Sequence, residues 1–164
     1  LRDAIASITT ERVLSHLELF HASLVGFGVP RPKLALAGLN PHAGEHGVLG
    51  REDDELLLPA VQAARSAGID VEGPLSPDTV FLQASQGRFD GVLALYHDQA
   101  FIPVKLLSHD GGVTVLAGLP YLRVSPVHGT AFDIAGTGRA SPENLIQALL
   151  LAGRWSAGAE RGER

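Results

Sequence analysis

Two short apolar runs in this chain each lead into a histidine. Ala35-Leu36-Ala37-Gly38-Leu39 continues into Asn40-Pro41-His42-Ala43-Gly44-Glu45, and Gly91-Val92-Leu93-Ala94-Leu95 continues into Tyr96-His97-Asp98-Gln99. Imidazoles beside a carboxylate suit a divalent metal of the zinc type, and they serve equally as general acids and bases. A further histidine opens a run of small residues, His128-Gly129-Thr130-Ala131-Phe132-Asp133-Ile134-Ala135-Gly136. Glycine there lets a backbone approach a bound cofactor closely. Two cations complete the set. One is Lys105; the other is Arg123, inside the apolar run Tyr121-Leu122-Arg123-Val124, where a charge needs a partner. Both have the chemistry to anchor a phosphate or a carboxylate.

Each of these has a plainer alternative. His42, flanked by Pro41 and Gly44, reads equally as a surface loop histidine, and His97 as a core histidine bonded to a backbone carbonyl. Asp98 weighs against the core reading, because a buried, unpaired carboxylate is costly. Two histidines are also too few, since a catalytic zinc site takes three protein ligands and keeps one position open. His42-Ala43-Gly44-Glu45-His46 spells a zinc-protease pattern, H-x-x-E-H. That pattern needs a helix to bring both histidines to one face, and Pro41, Gly44 and Gly47 argue against one. Gly136-x-Gly138 lacks the third glycine of a dinucleotide fingerprint and does not directly follow a strand.

Short apolar runs bounded by Gly and Pro read as strands buried on both faces. In open α/β sheets, ligands bind beyond the carboxyl ends of such strands. The expected strands are residues 33–39, 71–73, 91–96, 112–116 and 122–125, with a long glycine-rich loop over 40–50. A first helix starts at a Thr10 cap, carries the stripe Val13, Leu17, Phe20 and Leu24, and ends at Gly26 and Gly28. Further helices are expected over 52–66, with Leu57, Val61 and Ala64 inward, and over 78–86. The last helix opens on a Ser141 cap, with Pro142 first and Glu143 in its first turn, and Leu145, Leu149 and Ala152 give it an apolar face. Beyond Gly153 the tail is expected to fray. Helices alternating with buried strands make an α/β sandwich.

The bulk numbers narrow the function. The chain has 164 residues, enough for one domain or for pieces of two. Thirteen Lys and Arg against 18 Asp and Glu leave a net charge of −5, with no dense basic run, so duplex nucleic acid is not an expected partner. There are no cysteines, which removes disulfides, thiolate metal sites and cysteine nucleophiles, and suits a cytoplasmic protein. No apolar stretch is long enough to span a bilayer, and no signal-peptide pattern opens the sequence. Methionine is absent, and Leu1-Arg2-Asp3 reads like the interior of something, so a piece of a longer chain is expected.

Five segments, in this order, resemble the 4-hydroxythreonine-4-phosphate dehydrogenase family: Asn40-Pro41-His42-Ala43-Gly44-Glu45, Asp78-Thr79-Val80-Phe81, Tyr96-His97-Asp98-Gln99, Gly118-Leu119-Pro120 and His128-Gly129-Thr130-Ala131. The likeness runs to about Ala152 and covers only the second half of the family's length. The loop at His128 also resembles the one that holds the adenine end of NAD(P) in isopropylmalate and isocitrate dehydrogenases. The resemblance implies an α/β/α sandwich of the isocitrate/isopropylmalate dehydrogenase-like type, present here as an incomplete C-terminal half. Residues 1–99 would belong to a second, dimer-forming and metal-binding domain, and residues 100–164 would return to the first, cofactor-side domain.

The resemblance also implies a site. His42 and His97 match two of three metal-binding histidines, and the third would lie just before Leu1. The metal would be zinc, magnesium or cobalt. Lys105 and Arg123 match contacts to a small phosphorylated substrate, while Thr114 stands where the family has Asn. Asp98 and Asp78 are the candidate proton acceptors. His128, Gly129, Thr130, Ala131 and Asp133 would hold NAD or NADP. The implied reaction is oxidation of 4-phosphonooxy-L-threonine and loss of carbon dioxide, in pyridoxal phosphate biosynthesis, by a homodimer with its site at the subunit interface. Related family members acting on a phosphorylated sugar acid or a dihydrodiol are the nearest alternative, and a non-catalytic fragment is the alternative of another class.

Overall fold

Leu34, Ala35, Leu36 and Ala37 are all shielded from solvent, and they form β1 (Leu34–Ala37), the middle strand of a parallel sheet. In the computed structural model, which describes residues 1–107 and 112–160 (the last four by backbone only), the packing divides into two compact units. Leu1–Pro103 is one, and the other begins at Val104.

In the first unit β1 lies between β2 (Val71–Leu75) and β3 (Gly91–Leu93). Strand side chains alternate between faces. Leu34 and Leu36 meet Val13 and Leu17 of α2 (Thr10–Gly26) and Ala60, Val61 and Ala64 of α3 (Leu58–Ser66). Ala35 and Ala37 meet Val80 of α4 (Val80–Ser85) and Phe89 on the other side. Cover on both faces is why this strand reads as an unbroken apolar run. Where β2 passes β1, Gly73 has φ +153°, and a Cβ there would sit 2.8 Å from the Leu36 carbonyl oxygen, so only glycine fits.

Several boundaries differ from expectation. Thr9, not Thr10, caps α2: its hydroxyl accepts the Arg12 N–H at 3.2 Å. Thr10 is the first helical residue, and its hydroxyl donates to the Leu56 carbonyl at 3.0 Å, tying α2 to the turn before α3. A short helix α1 (Arg2–Ala6), which buries nothing, precedes it and left no apolar periodicity to read. The helix expected over 52–66 is present but opens with a wide π turn, Asp53–Leu57. The strand expected over 91–96 stops at Leu93, and α5 (His97–Leu107) follows with Pro103 inside it.

The second unit contains β4 (Val113–Leu116) and β5 (Arg123–Pro126), an antiparallel pair, and α6 (Glu143–Glu160), which packs on both strands. The Ser141 hydroxyl accepts the Glu143 N–H at 3.4 Å, as a cap should. Where fraying is expected beyond Gly153, α6 continues to Glu160, and residues 161–164 at its end lie outside the described residues. Among the described residues no helix is long and apolar enough to cross a membrane.

A charged cluster pins the edge of the first unit. Glu72 on β2 pairs with Lys33 at 3.1 Å and with Arg88 at 2.6 Å. The Lys33 ammonium, hydrogen-bonded to it, holds the Glu72 carboxyl below the usual carboxylate range, and Arg88 adds to this against the cost of burial. A carboxyl lowered in the folded state stabilises the fold above its unfolded pKa of about 4.3, and that contribution disappears as pH falls through the lowered value. Glu72→Gln is therefore expected to lower stability at pH 7 by about 1 kcal/mol or less, as for partly exposed pairs. The gap from wild type should close in urea unfolding as pH is lowered through the carboxyl's depressed value.

Candidate active site

Three chain segments that leave the parallel sheet at its carboxyl edge meet at one cavity. Leu39, Pro41 and His42 follow β1, Pro77 and Asp78 follow β2, and Tyr96 follows β3; together they line a volume of about 290 Å³. This is the place where open α/β sheets bind ligands. The structure thus brings His42 and Asp78, two of the expected site residues, to one wall-to-wall space. Asp78 is exposed, and the Ser76 hydroxyl donates to its Oδ1 at 2.6 Å.

His42 reaches the cavity from a turn of unusual backbone. His42 and Ala43 both have φ +53°, Glu45 has φ +44° and His46 has φ +56°. L residues adopt this left-handed region only at a cost. The turn is no α-helix, so His42 and His46 do not share a helix face and the zinc-protease geometry is not formed.

His97 sits in the first turn of α5 and is exposed, neither a core residue nor the end of a strand. Its Nδ1–H donates to Asp98 Oδ1 at 2.8 Å, and its ring stacks on Phe101 with centroids 4.4 Å apart. With Nδ1 protonated, the neutral ring keeps its lone pair at Nε2. A carboxylate behind an imidazole in this way is the usual support of a metal-bound histidine. The donor chemistry therefore fits a metal ion, but the number of donors falls short. Among the described residues no three His, Asp or Glu side chains come together to hold one.

Gln99, which ends the run Tyr96-His97-Asp98-Gln99, is only 8% exposed, and both ends of its amide are engaged. Its Nε2 donates to the Gly38 carbonyl and its Oε1 accepts the Leu95 N–H, both at 2.8 Å, so it braces the ends of β1 and β3. Asp53 and Asn40 were missed as a working pair. Asp53 is fully buried at the π turn, and its carboxylate accepts the Leu39 N–H, the Asn40 N–H and the Asn40 side-chain amide at 2.8, 3.0 and 2.9 Å. The same Asn40 amide donates to Glu52 at 2.8 Å and holds that carboxyl below its ordinary range. The glycines at 38, 44 and 50 around an acidic pair were the only signal in the sequence.

The remaining candidates belong to the second unit. Lys105 is exposed near the end of α5. Thr114 pairs with Ser125 and Leu116 with Arg123, so Thr114 and Arg123 share one face of the hairpin as diagonal neighbours. The expectation that Arg123 lies within an apolar strand and needs a partner is corrected: it opens β5 and is exposed. His128, Gly129, Thr130 and Ala131 lie in one exposed loop, which runs into a 3-10 turn (Phe132–Ile134) carrying the exposed Asp133, and the His128 Nδ1–H donates to the Gly129 carbonyl at 2.9 Å. Open space stands over Gly129, so its backbone is accessible to a ligand.

The chain is similar to proteins of known type over nearly its whole length. It is 49% identical over 158 residues to a protein of Bradyrhizobium diazoefficiens named 4-hydroxythreonine-4-phosphate dehydrogenase, covering 96% of this chain and 46% of the relative. It is 47% identical over 152 residues to a D-threonate 4-phosphate dehydrogenase of Pectobacterium atrosepticum, covering 93% and 47%. A crystal structure of 4-hydroxythreonine-4-phosphate dehydrogenase from Klebsiella pneumoniae superposes with a TM-score of 0.82 at 46% identity, covering 93% of this chain and 46% of that one. The chain spans about half the length of these relatives. Residues 1–152 match the family model described as pyridoxal phosphate biosynthetic protein PdxA, and the chain belongs to that family.

Proposed function

We propose that the whole protein is an NAD- or NADP-linked dehydrogenase of 4-phosphonooxy-L-threonine that works in pyridoxal phosphate biosynthesis. The observation that carries this reading is the cavity at the carboxyl edge of the parallel sheet, where His42, Asp78 and Tyr96 converge in a chain of this family. His42 and His97 would hold a divalent metal ion (zinc, magnesium or cobalt) together with a ligand from outside the described residues, and the bound ion would supply Lewis-acid polarisation of the substrate hydroxyl.

This chain's residues supply the rest. Asp98 keeps the His97 ring in one tautomer and orientation. Because Asp98 is engaged there, Asp78 in the cavity wall is the better acceptor for the hydroxyl proton. A dinucleotide bound by the loop at His128 would supply the hydride acceptor for the carbinol C–H bond as Asp78 takes the hydroxyl proton, and a 2-amino-3-oxo acid would form. Its carboxylate carbon then leaves as carbon dioxide, the bonding pair passes into an enolate, and a proton returns to carbon to give 3-amino-2-oxopropyl phosphate. Lys105 and Arg123 anchor the phosphate, with the Thr114 hydroxyl on the face that Arg123 shares. The exposed loop carrying His128, Gly129, Thr130, Ala131 and Asp133 binds the dinucleotide. A cytoplasmic homodimer that completes each site at its interface belongs to the same proposal.

A phosphorylated sugar acid is the second reading, favoured by the relative named for D-threonate 4-phosphate. Thr114 offers a hydroxyl where an amide would distinguish an amino from a hydroxyl substituent. Assaying the whole protein with both substrates, with NAD and NADP, decides between them. The expected result is higher kcat/KM on 4-phosphonooxy-L-threonine. Thr114→Asn is expected to change the ratio of the two about tenfold, the worth of one hydrogen bond. An unchanged ratio would remove Thr114 from the specificity argument.

A further inference from the structure

Among the described residues, Asp53 is the one charged side chain with no exposure to solvent. No cation is paired with it; the described ion pairs lie elsewhere. A charge in that position is tolerated only when hydrogen bonds replace its water. All the donors it receives come from Leu39 and Asn40, the two residues that lead from β1 toward His42. Its neighbours Asp54 and Glu55 are exposed, so an acidic start to a helix does not by itself call for this burial.

Glycines close the space around the carboxylate. A Cβ on Gly38 would stand 2.8 Å from Asp53 Oδ1. One on Gly44 would stand 2.8 Å from the Gly50 carbonyl oxygen and 3.4 Å from Asp53 Oδ2, and one on Gly50 would fall on the Asn40 amide. The turn these contacts enclose holds His42, Ala43, Glu45 and His46 in left-handed backbone. Non-glycine residues keep such a conformation only where the surroundings over-determine it.

We propose that Asp53 is the positioning residue for His42: its buried carboxylate fastens the Leu39 and Asn40 N–H groups and so holds the left-handed turn that delivers the His42 imidazole to the cavity. The proposal deepens the reading of His42 as a metal ligand and rests on it for its second readout only.

The test uses the whole protein with Asp53→Asn, Asn40→Ala and His42→Ala. Hydrogen–deuterium exchange is followed on metal-free protein, and Zn²⁺ affinity is measured against a chromophoric chelator. Asp53→Asn should speed exchange across 39–46 about tenfold or more, leave α2 and α3 as in wild type, and weaken Zn²⁺ binding by about 10–100-fold, as loss of a supporting contact does. Asn40→Ala, which removes one donor and spares the buried charge, should give a smaller change in the same segment, and decides the matter if Asp53→Asn does not fold. Unchanged exchange over 39–46, or exchange raised equally in α2 and α3, overturns the proposal. So does a Zn²⁺ affinity that falls in His42→Ala but not in Asp53→Asn. If His42→Ala itself leaves Zn²⁺ affinity intact, the metal reading fails, and the exchange result alone still decides whether Asp53 holds the turn.

Discussion

In the whole protein, His42→Ala and His97→Ala are each expected to lower kcat/KM by about a thousandfold or more, equivalent to about 4 kcal/mol of lost transition-state stabilisation. The size follows from what each imidazole can do. His42 is the one imidazole in the cavity wall, and His97 is held by Asp98 and Phe101 with its Nε2 lone pair uncommitted. If both hold the proposed metal ion, removing either would leave it one ligand poorer, where the described residues already offer fewer than three. His46→Ala is the control. It lies four positions from His42, but the turn between them is no α-helix, and His46 is exposed and does not line the cavity, so turnover should stay within about twofold, as for a surface change away from the site. Steady-state kinetics on metal-loaded protein measures all three. A large loss with His46→Ala would restore the protease-like pairing, and near-normal turnover with His42→Ala would empty the cavity of its proposed role.

The central buried strand and its two-sided cover were legible because they depend on local pattern. Leu34 to Ala37 is apolar throughout, as a strand covered on both faces must be, and Val13, Leu17, Phe20 and Leu24 recur at helical spacing. The two strands β4 and β5, though not their antiparallel pairing, and the Ser141 cap were legible for the same reason. What escaped depends on contacts between distant residues. Glu52 and Asp53 read as favourable charge at a helix start, and only the closure of Gly38 and Gly44 over the carboxylate makes Asp53 a buried anchor. Helix α5 escaped because Pro103 sits inside it and because its first residues looked like the end of a strand. His42 and Asp78 are far apart in sequence, and their meeting at one cavity follows from the order β2-β1-β3, which no single segment encodes.

Leu36→Ala is expected to be the most damaging single change to the fold of the first unit, costing about 2–5 kcal/mol. Leu36 has no solvent exposure, and it packs in the cluster that joins β1 to α2 and α3. Gly73 lies against its backbone on the neighbouring strand, where there is little freedom to collapse into a vacated volume. The cavity left behind therefore adds to the lost burial, and the sum is a large share of a typical folding stability of about 5–15 kcal/mol. Leu36→Met, which keeps the volume, should cost less than about 1.5 kcal/mol. The urea midpoint should fall with an unchanged m value if the loss is one of stability alone. Leu36 contributes to the core and not to the cavity wall, so kcat and KM of the folded protein in the cold should match wild type. A fall in kcat per folded molecule would give β1 a second role: the strand's exact seating, and not only its survival, would set where the Asn40–His42 turn begins.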